Sequence, residues 1–399
     1  MHDLLTVESV PDYIASQPHL AARIDPQALT TREVGDGNLN LVFLCQDAAG
    51  RGLCLKQALP YVRLVGADWP LTPERATAEA RAYTASMRLA PELVPEFFGF
   101  DPQRYVLHME SLADWSVWRS ALNAGHAHAS AADDLGRYVA RLAFGTSLFG
   151  LDAAEHKARL AEAVNPELCK ITEDLVFTEP YIDHPHNSYV PELAPIVDRM
   201  RANTSLLAEV QRLKFAFMTR AESLIHGDLH TGSVMVRDGR PAKVIDPEFC
   251  FYGPPAFDLG ALFGNFLIAR VRGEVLQQPA TYLRWVRGLP AATWHAFLDE
   301  MGALWPTRVN PWFGDDFLEA WLTNVLRDAV GFGACKAIRR IVGLAKVSDI
   351  QSLQGEAHSR AASTVLLTAQ RWLLGRHALQ SVADLLALTD ASLGSRAPV

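Results

Sequence analysis

Three acidic residues, Asp228, Asp246 and Glu248, occupy the part of the sequence that is richest in chemical signals, residues 224–258. Clustered carboxylates repel one another and are costly to bury unpaired, so a cation is a reason to gather them. Acidic oxygen ligands suit Mg²⁺ that carries phosphates. A loop aspartate, a short hairpin and a metal-binding aspartate follow in this order in phosphoryl transfer, where the first aspartate receives the acceptor's hydroxyl proton. An ordinary surface hairpin with acids at its ends is the alternative.

A predicted β-hairpin brings these acids together. Two apolar runs, residues 233–236 and 242–245, flank an Asp-Gly turn, which is a strong hairpin signal. Asp228 precedes the hairpin and Asp246 directly follows it. We therefore expect the acidic side chains to be neighbours in space, although they are distant in sequence.

A second set of residues has the types that bind nucleotide phosphates. Gly35, Gly37 and Asn40 lie between two predicted strands, and such a loop can turn its backbone N–H groups toward a phosphate. Lys56 ends the next apolar strand, as phosphate binding of the kinase type requires. A plain hairpin turn and a lysine that reaches solvent at a strand edge are the alternatives.

Glu79 lies on a predicted helix that opens at Thr72-Pro73, with the threonine as N-cap and the proline in the first turn. Its apolar helical neighbours would let Glu79 face inward and pair with Lys56. Helical glutamates are usually solvated, so both positions of this side chain remain open from the sequence.

Arg339 and Arg340 stand between apolar residues in a predicted helix. Adjacent helical residues point about a quarter-turn apart, so at least one of the two arginines should approach the buried face. A guanidinium held there could stabilise charge on a moving phosphoryl group. The alternative is an exposed arginine whose aliphatic stem packs on the surface.

The first part of the chain predicts a small antiparallel sheet with one main helix. The strand-like runs are residues 31–34, 41–45, 53–56, 97–100 and 105–109. The last run ends on Glu110-Ser111-Leu112, where the chain would leave the sheet and offer main-chain groups to an adenine.

The rest of the chain is predicted to be mostly helical, from apolar residues that recur at three- and four-residue spacing. The predicted helices span residues 131–149, 205–221, 261–272, 279–287, 291–304, 315–330, 333–345 and 357–374. Residues 165–195 are rich in proline and histidine and predict an irregular insertion. Tryptophans spaced along the later helices are typical of a core rather than of a ligand-stacking site.

The composition of the 399 residues, 49% hydrophobic and 21% charged, is typical of a globular protein long enough for two lobes. A net charge of −8 argues against a non-specific nucleic-acid binder. The five scattered cysteines lack zinc-ligand spacing and predict buried, reduced thiols. We see no signal peptide and no bilayer-spanning run, so a cytoplasmic protein without a membrane partner is expected.

Several motifs together resemble the 5-methylthioribose kinase family nearly end to end. They are GDGNLNLVF at residues 35–43, LKQALPYVR at 55–63, HGDLHTGS at 226–233, DPEFCFYGP at 246–254 and the paired arginines. Related small-molecule kinases usually have Asn where Ser233 stands. The resemblance implies an α+β, protein-kinase-like fold of two lobes: a small N-lobe with an antiparallel sheet, residues 1–112, and a larger, mostly helical C-lobe, residues 113–399.

The resemblance also implies roles for individual residues. Asp228 would be the catalytic aspartate and contact the sugar, while Arg339 and Arg340 would lie by the sugar and the transferred phosphate, with Arg340 catalytic. Asp246 and Glu248 would bind Mg²⁺. ATP contacts are implied for Gly35, Gly37, Asn40, Lys56, Glu110, Ser111, Leu112, Asp246, Pro247 and Glu248. Ser111 departs from the aspartate that the family tends to have, which weakens only the inference about a hinge side chain.

The implied activity is ATP-dependent phosphorylation of the anomeric hydroxyl of 5-methylthioribose in methionine salvage, by a homodimer. Phosphorylation of another hydroxyl, on choline, homoserine or an aminoglycoside, would use the same acidic loops. A catalytically dead nucleotide-binding module is a third hypothesis, and the presence of every expected catalytic residue argues against it.

Overall fold

The smaller lobe is built on a five-stranded antiparallel sheet in the order β1-β2-β3-β7-β6. A computed structural model describes residues 4–35, 39–62 and 66–394. Its strands are β1 Leu29–Glu33, β2 Asn40–Asp47, β3 Gly52–Ala58, β4 Tyr61–Val62, β5 Gly66–Pro70, β6 Phe97–Asp101, β7 Val106–Glu110, β8 Ser116–Val117, β9 Ser223–Ile225, β10 Val234–Val236, β11 Lys243–Val244 and β12 Phe251–Gly253. The predicted hairpin of β10 and β11 is confirmed as an antiparallel pair.

The larger lobe is mostly helical, which confirms the predicted two-lobe α+β class. Across both lobes the helices are α1 Val10–Ser16, α2 Pro18–Ala21, α3 Arg75–Leu89, α4 Trp118–Asn123, α5 Ala131–Gly145, α6 Ala153–Glu162, α7 Pro166–Phe177, α8 Ala194–Ala202, α9 Thr204–Thr219, α10 Ala256–Val275, α11 Ala280–Leu304, α12 Asp315–Val342, α13 Ser348–Gln351, α14 Gly355–Gly375 and α15 Val382–Gly394. Among the described helices, none has the length and apolar composition that crossing a bilayer requires.

The two faces of the sheet have different partners, because successive side chains of a strand point to opposite faces. On β3, Leu53 and Leu55 belong to the core that α1 and α2 complete. Cys54 belongs to the main core, which includes the inner face of α3. Lys56 is two residues beyond Cys54, so the strand's period points it toward α3.

Helix α3 begins later than predicted. Its N-cap is Glu74, not Thr72, and the first helical residue is Arg75. The Thr72 hydroxyl still accepts a hydrogen bond from the Glu74 backbone N–H at 3.3 Å. The threonine therefore stabilises the turn before α3 but does not cap the backbone N–H groups of the helix itself.

The predicted secondary structure was wrong at two prolines, Pro166 and Pro290, which both lie in helices. The irregular insertion predicted for residues 165–195 is wrong over α7, where Pro166 occupies the first turn and its missing N–H removes no helical hydrogen bond. Pro290 lies inside α11, which runs unbroken where two helices were predicted. Buried neighbours on both sides of Pro290 hold this helix together across the break in its hydrogen bonding.

Other bounds differ as well. Helix α12 continues through Gly331 and Gly333, where two helices were predicted, while α5 ends at Gly145 instead of residue 149. Helix α15 was not predicted. All five cysteines are free thiols, four buried and one partly buried, as expected. Trp312 is 89% exposed and so is an exception to the predicted burial of tryptophan, unlike Trp305 and Trp372.

Glycines bring α10 and α12 into close contact. A Cβ on Gly264 would lie 2.5 Å from the Gly333 carbonyl oxygen, and one on Gly260 would lie 2.5 Å from the Ala329 carbonyl oxygen. Side chains cannot relieve such clashes, because the opposing atoms belong to the backbone. This packing fixes α12 against the N-terminal half of α10, and both helices carry residues of the site described below.

Gly264→Ala is expected to lower the free energy of unfolding by about 1–3 kcal/mol, because the added methyl group must push α10 and α12 apart. Gly302→Ala on α11 is the matched control, since its Cβ would meet nothing within 4 Å. Helix propensity predicts that this control stabilises the protein by about 0.5–1 kcal/mol. Urea denaturation of both variants measures the difference, and equal stabilities would contradict the close packing.

Candidate active site

One cavity of about 730 Å³ gathers the residues that the sequence singled out. Its wall includes Asn40, Lys56, Asp228, Asp246, Glu248, Arg339 and Arg340. Residues of the sheet and of the helical lobe therefore face the same space. Trp69 of β5 also lines the cavity.

A larger cavity of about 920 Å³ lies against α9 and α12, and several of its charged groups pair with acidic residues. In its wall, Arg376 donates hydrogen bonds to Glu209 at 2.9 Å and to Asp328 at 2.6 Å. Arg220 forms a second ion pair with Asp328 at 2.5 Å. Within the described part of the chain, none of the candidate site residues from the sequence lines this cavity, so we place the candidate active site in the 730 Å³ cavity.

The loop that carries Asp228 is held by buried backbone hydrogen bonds. Asp258, in the first turn of α10, accepts from the N–H groups of His226 at 2.7 Å and Gly227 at 3.0 Å. Gly227 has φ +81°, and a Cβ there would lie 2.2 Å from the Phe249 carbonyl oxygen, so glycine is required.

His226 joins this loop to Ile245, which follows β11 and directly precedes Asp246. Its Nδ1 accepts from the Asp228 backbone N–H at 3.2 Å, so in the neutral ring its Nε2 donates to the Ile245 carbonyl oxygen at 2.8 Å. The two ends of the hairpin are therefore fixed relative to each other, as the sequence predicted.

Asp228 is surrounded by cationic and polar groups. Lys336 Nζ donates to Asp228 Oδ1 at 2.6 Å, and His230 Nε2 lies 3.4 Å from Asp228 Oδ2. Burial acts to raise the pKa of Asp228, but Lys336, His230 and Arg339 together hold it well below its ordinary value. Burial lowers the pKa of His230 to about 3, so this imidazole is neutral at physiological pH.

Lys56 joins two carboxylates on the opposite side of the cavity. Its Nζ lies 2.7 Å from Glu79 Oε1 and 2.7 Å from Asp246 Oδ1. The inward position of Glu79, which the sequence left open, is thus the observed one. Burial acts to lower the pKa of Lys56, but the carboxylates of Asp246 and Glu79 outweigh it and raise the pKa well above its ordinary value.

Asp246 has a left-handed backbone, with φ 61°, and its side chain is 46% exposed to the cavity. Its backbone N–H donates to the Tyr83 hydroxyl of α3 at 3.2 Å. Burial acts to raise the pKa of the Asp246 carboxyl, and Lys56 lowers it below its ordinary value. One carboxylate oxygen is held by the lysine while the side chain as a whole stays accessible to a ligand.

Glu248 is anchored by Asn40 and Arg75. Asn40 Nδ2 donates to Glu248 Oε2 at 2.9 Å, and Arg75 Nε donates to the same oxygen at 3.2 Å. Arg75 also donates to the Leu39 carbonyl oxygen at 2.7 Å and to Asn40 Oδ1 at 3.0 Å. One buried guanidinium thus fixes the end of the glycine-containing loop against the second acidic residue.

The remaining wall is cationic. Arg119, Arg339 and Arg340 line the cavity, and of these Arg119 has a carboxylate at 3.2 Å, from Asp349. The charges of Arg339 and Arg340 also act on Lys336. Burial, followed by repulsion from Arg339, lowers the pKa of Arg340 to about 9. Arg339 Nε is buried and has no hydrogen-bond partner among the described residues. Cations crowded in this way are suited to an anionic ligand group.

Comparison with known proteins agrees with this geometry. A model of the phosphotransferase enzyme family matches residues 30–295. The methylthioribose kinase of Yersinia pseudotuberculosis is 41% identical over 357 residues, which cover 88% of each chain. That of Geobacillus kaustophilus is 39% identical over 368 residues, which cover 91% of each chain. The chain belongs to the methylthioribose kinase family.

Not every residue implied by the family resemblance lines the cavity. Its lining does not include Gly35, Pro247 or the segment Glu110–Leu112, so their predicted ATP contacts stay predictions. The Glu110 carboxylate instead accepts from Lys243 Nζ at 2.9 Å, across the two lobes. Gly37, also predicted to contact ATP, lies outside the described residues.

Sequence reasoning missed four residues of the site: Arg75, Arg119, His230 and Lys336. Lys336 lies three and four residues before the paired arginines on one helix, and that spacing places all three on neighbouring parts of a helical face. His230 lies within the loop motif itself. Arg75 and Arg119 gave no signal, because their partners come from distant segments of the chain.

Lys336→Met is expected to move the acidic limb of the kcat/KM–pH profile to higher pH. The substitution removes the nearest cation from Asp228 but leaves its burial unchanged, so the pKa of the aspartate must rise. A merely structural loss would lower activity at every pH without moving this limb. Exposed Lys157→Met is the matched control, and an unmoved limb in Lys336→Met would exclude the proposed coupling.

Proposed function

We propose that the protein transfers the γ-phosphoryl group of ATP to the anomeric hydroxyl of 5-methylthioribose, giving 5-methylthioribose 1-phosphate and ADP. The observation that carries this proposal is the 41% identity over 88% of the chain to a methylthioribose kinase. The paired charges of the 730 Å³ cavity support phosphoryl transfer independently of the relatives' names. By the same likeness the reaction would belong to methionine salvage.

Asp228 is the proposed acceptor of the hydroxyl proton. A pKa held well below the ordinary carboxyl value keeps it ionised, able to accept a hydrogen bond from the sugar hydroxyl and orient the oxygen for attack. Lys336 and His230 bind its two carboxylate oxygens and so restrict its rotation. Positioning of this kind accounts for much of the catalysis in phosphoryl transfer.

Asp246 and Glu248 are the residues that would hold Mg²⁺. Their oxygen atoms are the hard donors that this ion prefers, and both side chains line the cavity. When bound, Mg²⁺ neutralises charge on the phosphates of ATP. Within the described residues, Asp228, Asp246 and Glu248 do not bring three ligand atoms within 4.8 Å of one another, which is consistent with separate roles for Asp228 and the metal-side pair.

The remaining nucleotide contacts follow from the resemblance. Lys56 and Asn40, which line the cavity, would contact the phosphates of ATP. Gly35 and Pro247 would lie beside the nucleotide, and the main chain of Glu110–Leu112 would meet the adenine.

Arg339 and Arg340 would bind the sugar and the transferred phosphate. The buried Nε of Arg339, which lacks a hydrogen-bond partner among the described residues, is available to such an anion. Arg340 is 7% exposed and would stabilise charge on the moving phosphoryl group in a nearly dry environment.

An ADP-release assay with purified protein, ATP and Mg²⁺ tests the proposal. Methylthioribose is expected to give turnover far above that with choline, homoserine or an aminoglycoside. Turnover with one of these other acceptors alone would favour the alternative kinases. Binding of ATP without turnover on any acceptor would favour the nucleotide-binding module.

The sequence and the family resemblance predict three further properties of the protein. A homodimer, a cytoplasmic location and a lobe boundary after residue 112 remain predictions. Light scattering of the purified chain measures the first of them directly.

A further inference from the structure

A cluster of two imidazoles and one carboxylate lies outside the proposed catalytic groups. Glu179, His184 and His186 each offer one ligand atom, and these three atoms lie within 4.8 Å of one another. Glu179 Oε2 lies 2.9 Å from His186 Nδ1 and 3.6 Å from His184 Nδ1. The three residues belong to the segment between α7 and α8, which lies within residues 165–195, where the sequence predicted an irregular insertion.

The distances in this cluster suit a shared metal ion. Two ligand atoms at about 2.0–2.1 Å from a tetrahedral ion are roughly 3.3 Å apart. The distances from Glu179 Oε2 to the two imidazole nitrogens, 2.9 Å and 3.6 Å, lie on either side of that value. Imidazole nitrogen with a carboxylate oxygen is a donor set for Zn²⁺ and similar transition metals, whereas Mg²⁺ prefers oxygen alone. Three protein ligands would leave one position for water.

The segment is already held in the required shape. Asn187 Nδ2 donates to the carbonyl oxygens of Glu179 at 2.7 Å and Ile182 at 3.0 Å, and so closes the loop between the ligands. The Ser188 N–H donates to the Val342 carbonyl oxygen at 2.9 Å, which anchors the loop to the end of α12. Bonds of this kind reduce the ordering cost of binding an ion.

The available nitrogens also have the right character. His184 Nδ1 accepts a long hydrogen bond of 3.3 Å from the His186 backbone N–H, so this nitrogen is unprotonated, and a bound ion would take its lone pair in place of that weak bond. His186 Nδ1 contacts the Glu179 carboxylate, and an ion would replace the proton between them. Glu179 is 8% exposed, so its charge is largely shielded from water, while both imidazoles remain partly accessible.

We propose that Glu179, His184 and His186 form a binding site for a divalent transition-metal ion such as Zn²⁺, at the rim of the catalytic cavity and separate from the Mg²⁺ ligands. The ring of His186 stacks on Trp69, with centroids 5.8 Å apart and planes at 17°. Trp69 belongs to β5 and lines the cavity. A bound ion would therefore stiffen a contact that joins the sheet side of the cavity to the helical lobe.

Titration of the metal-stripped full chain, purified without a polyhistidine tag, tests the site. Calorimetry with Zn²⁺ is expected to show one ion per chain, and Co²⁺ is expected to give the visible absorption bands of a four-coordinate site with nitrogen ligands. Excess Mg²⁺ should not displace either ion, since it does not favour imidazole. Zn²⁺ should also raise the melting temperature.

Two ligand variants and one matched control decide the outcome. His184→Gln/His186→Gln and, separately, Glu179→Gln should weaken Zn²⁺ binding at least ~10-fold, as loss of even outer-sphere partners can do. His377→Gln should bind Zn²⁺ like the wild type, because its imidazole meets Glu209 at 2.8 Å without forming such a group of three. Melting curves without metal check that each variant is folded.

Absence of Zn²⁺ binding by the wild type would overturn the proposal, as would unchanged binding by both ligand variants. Neither outcome bears on the kinase proposal, because ADP release is measured with Mg²⁺ and no transition metal. Conversely, loss of kinase activity in a variant such as Asp228→Asn would leave Zn²⁺ binding intact.

Discussion

Asp228→Asn is expected to reduce kcat for ADP release with methylthioribose by about 10²–10⁴-fold, the usual contribution of a positioned general base. Asparagine has nearly the same shape but cannot take the hydroxyl proton. The depressed pKa of Asp228 shows that its surroundings are arranged for the anion, so the neutral amide also misaligns the groups that bind it. Steady-state kinetics across methylthioribose concentrations measure the loss.

The same substitution should leave ATP affinity within a few-fold of the wild type, because the Asp228 carboxylate is bound by Lys336 and His230, whereas Lys56 and Asp246 are bound to each other. It does leave Lys336, which is 3% exposed, without its carboxylate, so some loss of stability is expected. Asp238→Asn is the control, since that side chain is 96% exposed. A folded Asp228→Asn protein with kcat near the wild-type value would exclude Asp228 as the base.

The sequence predicted those parts of the site that local patterns determine. Lys56 ends an alternating strand and Glu79 lies among the apolar positions of α3, so the strand and helix periods together direct the two side chains at each other. The hairpin between Asp228 and Asp246 follows from its Asp-Gly turn. In each case the relevant geometry is set within one or two neighbouring elements.

The remaining parts depend on contacts between distant segments, which a single sequence does not encode locally. Arg75 reaches Glu248 across 173 positions, and Lys336 reaches Asp228 across 108. No periodicity in α3 distinguishes a buried arginine from a solvated one. Helix ends were also misjudged where proline stood, because Pro166 starts a helix and Pro290 is tolerated inside one through tertiary packing.

The cavity divides its charges in a way that fits transfer of an anionic phosphoryl group from the sheet side to the helical side. On the sheet side, Lys56 is bound to Asp246 and Arg75 to Glu248, the two carboxylates that would face the nucleotide and its metal. On the helical side, the cations of α12 outnumber the carboxylate of Asp228. A phosphoryl group that moves from the sheet side to the helical side would approach an excess of positive charge. That charge would stabilise the negative charge of the group in the transition state.

Asp246→Asn is expected to reduce kcat by about 10²–10⁴-fold, since a bound metal ion supplies several kcal/mol of charge stabilisation in such reactions. It should also raise the Mg²⁺ concentration that gives half-maximal rate, because a neutral amide is a weaker ligand than a carboxylate. Asparagine tolerates the left-handed backbone at this position, where φ is 61°, so the fold should be retained. Mg²⁺ titrations of the initial rate measure both effects.

Lys56 keeps one carboxylate partner in this variant, because Glu79 remains 2.7 Å from its Nζ. The buried lysine therefore stays charged, and a fall in rate reports on the metal rather than on collapse of the ion pair. Asp198→Asn on α8 is the control, because Asp198 is exposed and is distant in sequence from Asp246. If Asp246→Asn kept both the wild-type rate and the wild-type Mg²⁺ requirement, Asp246 would not be a metal ligand, and Glu248 alone would have to explain the dependence on Mg²⁺.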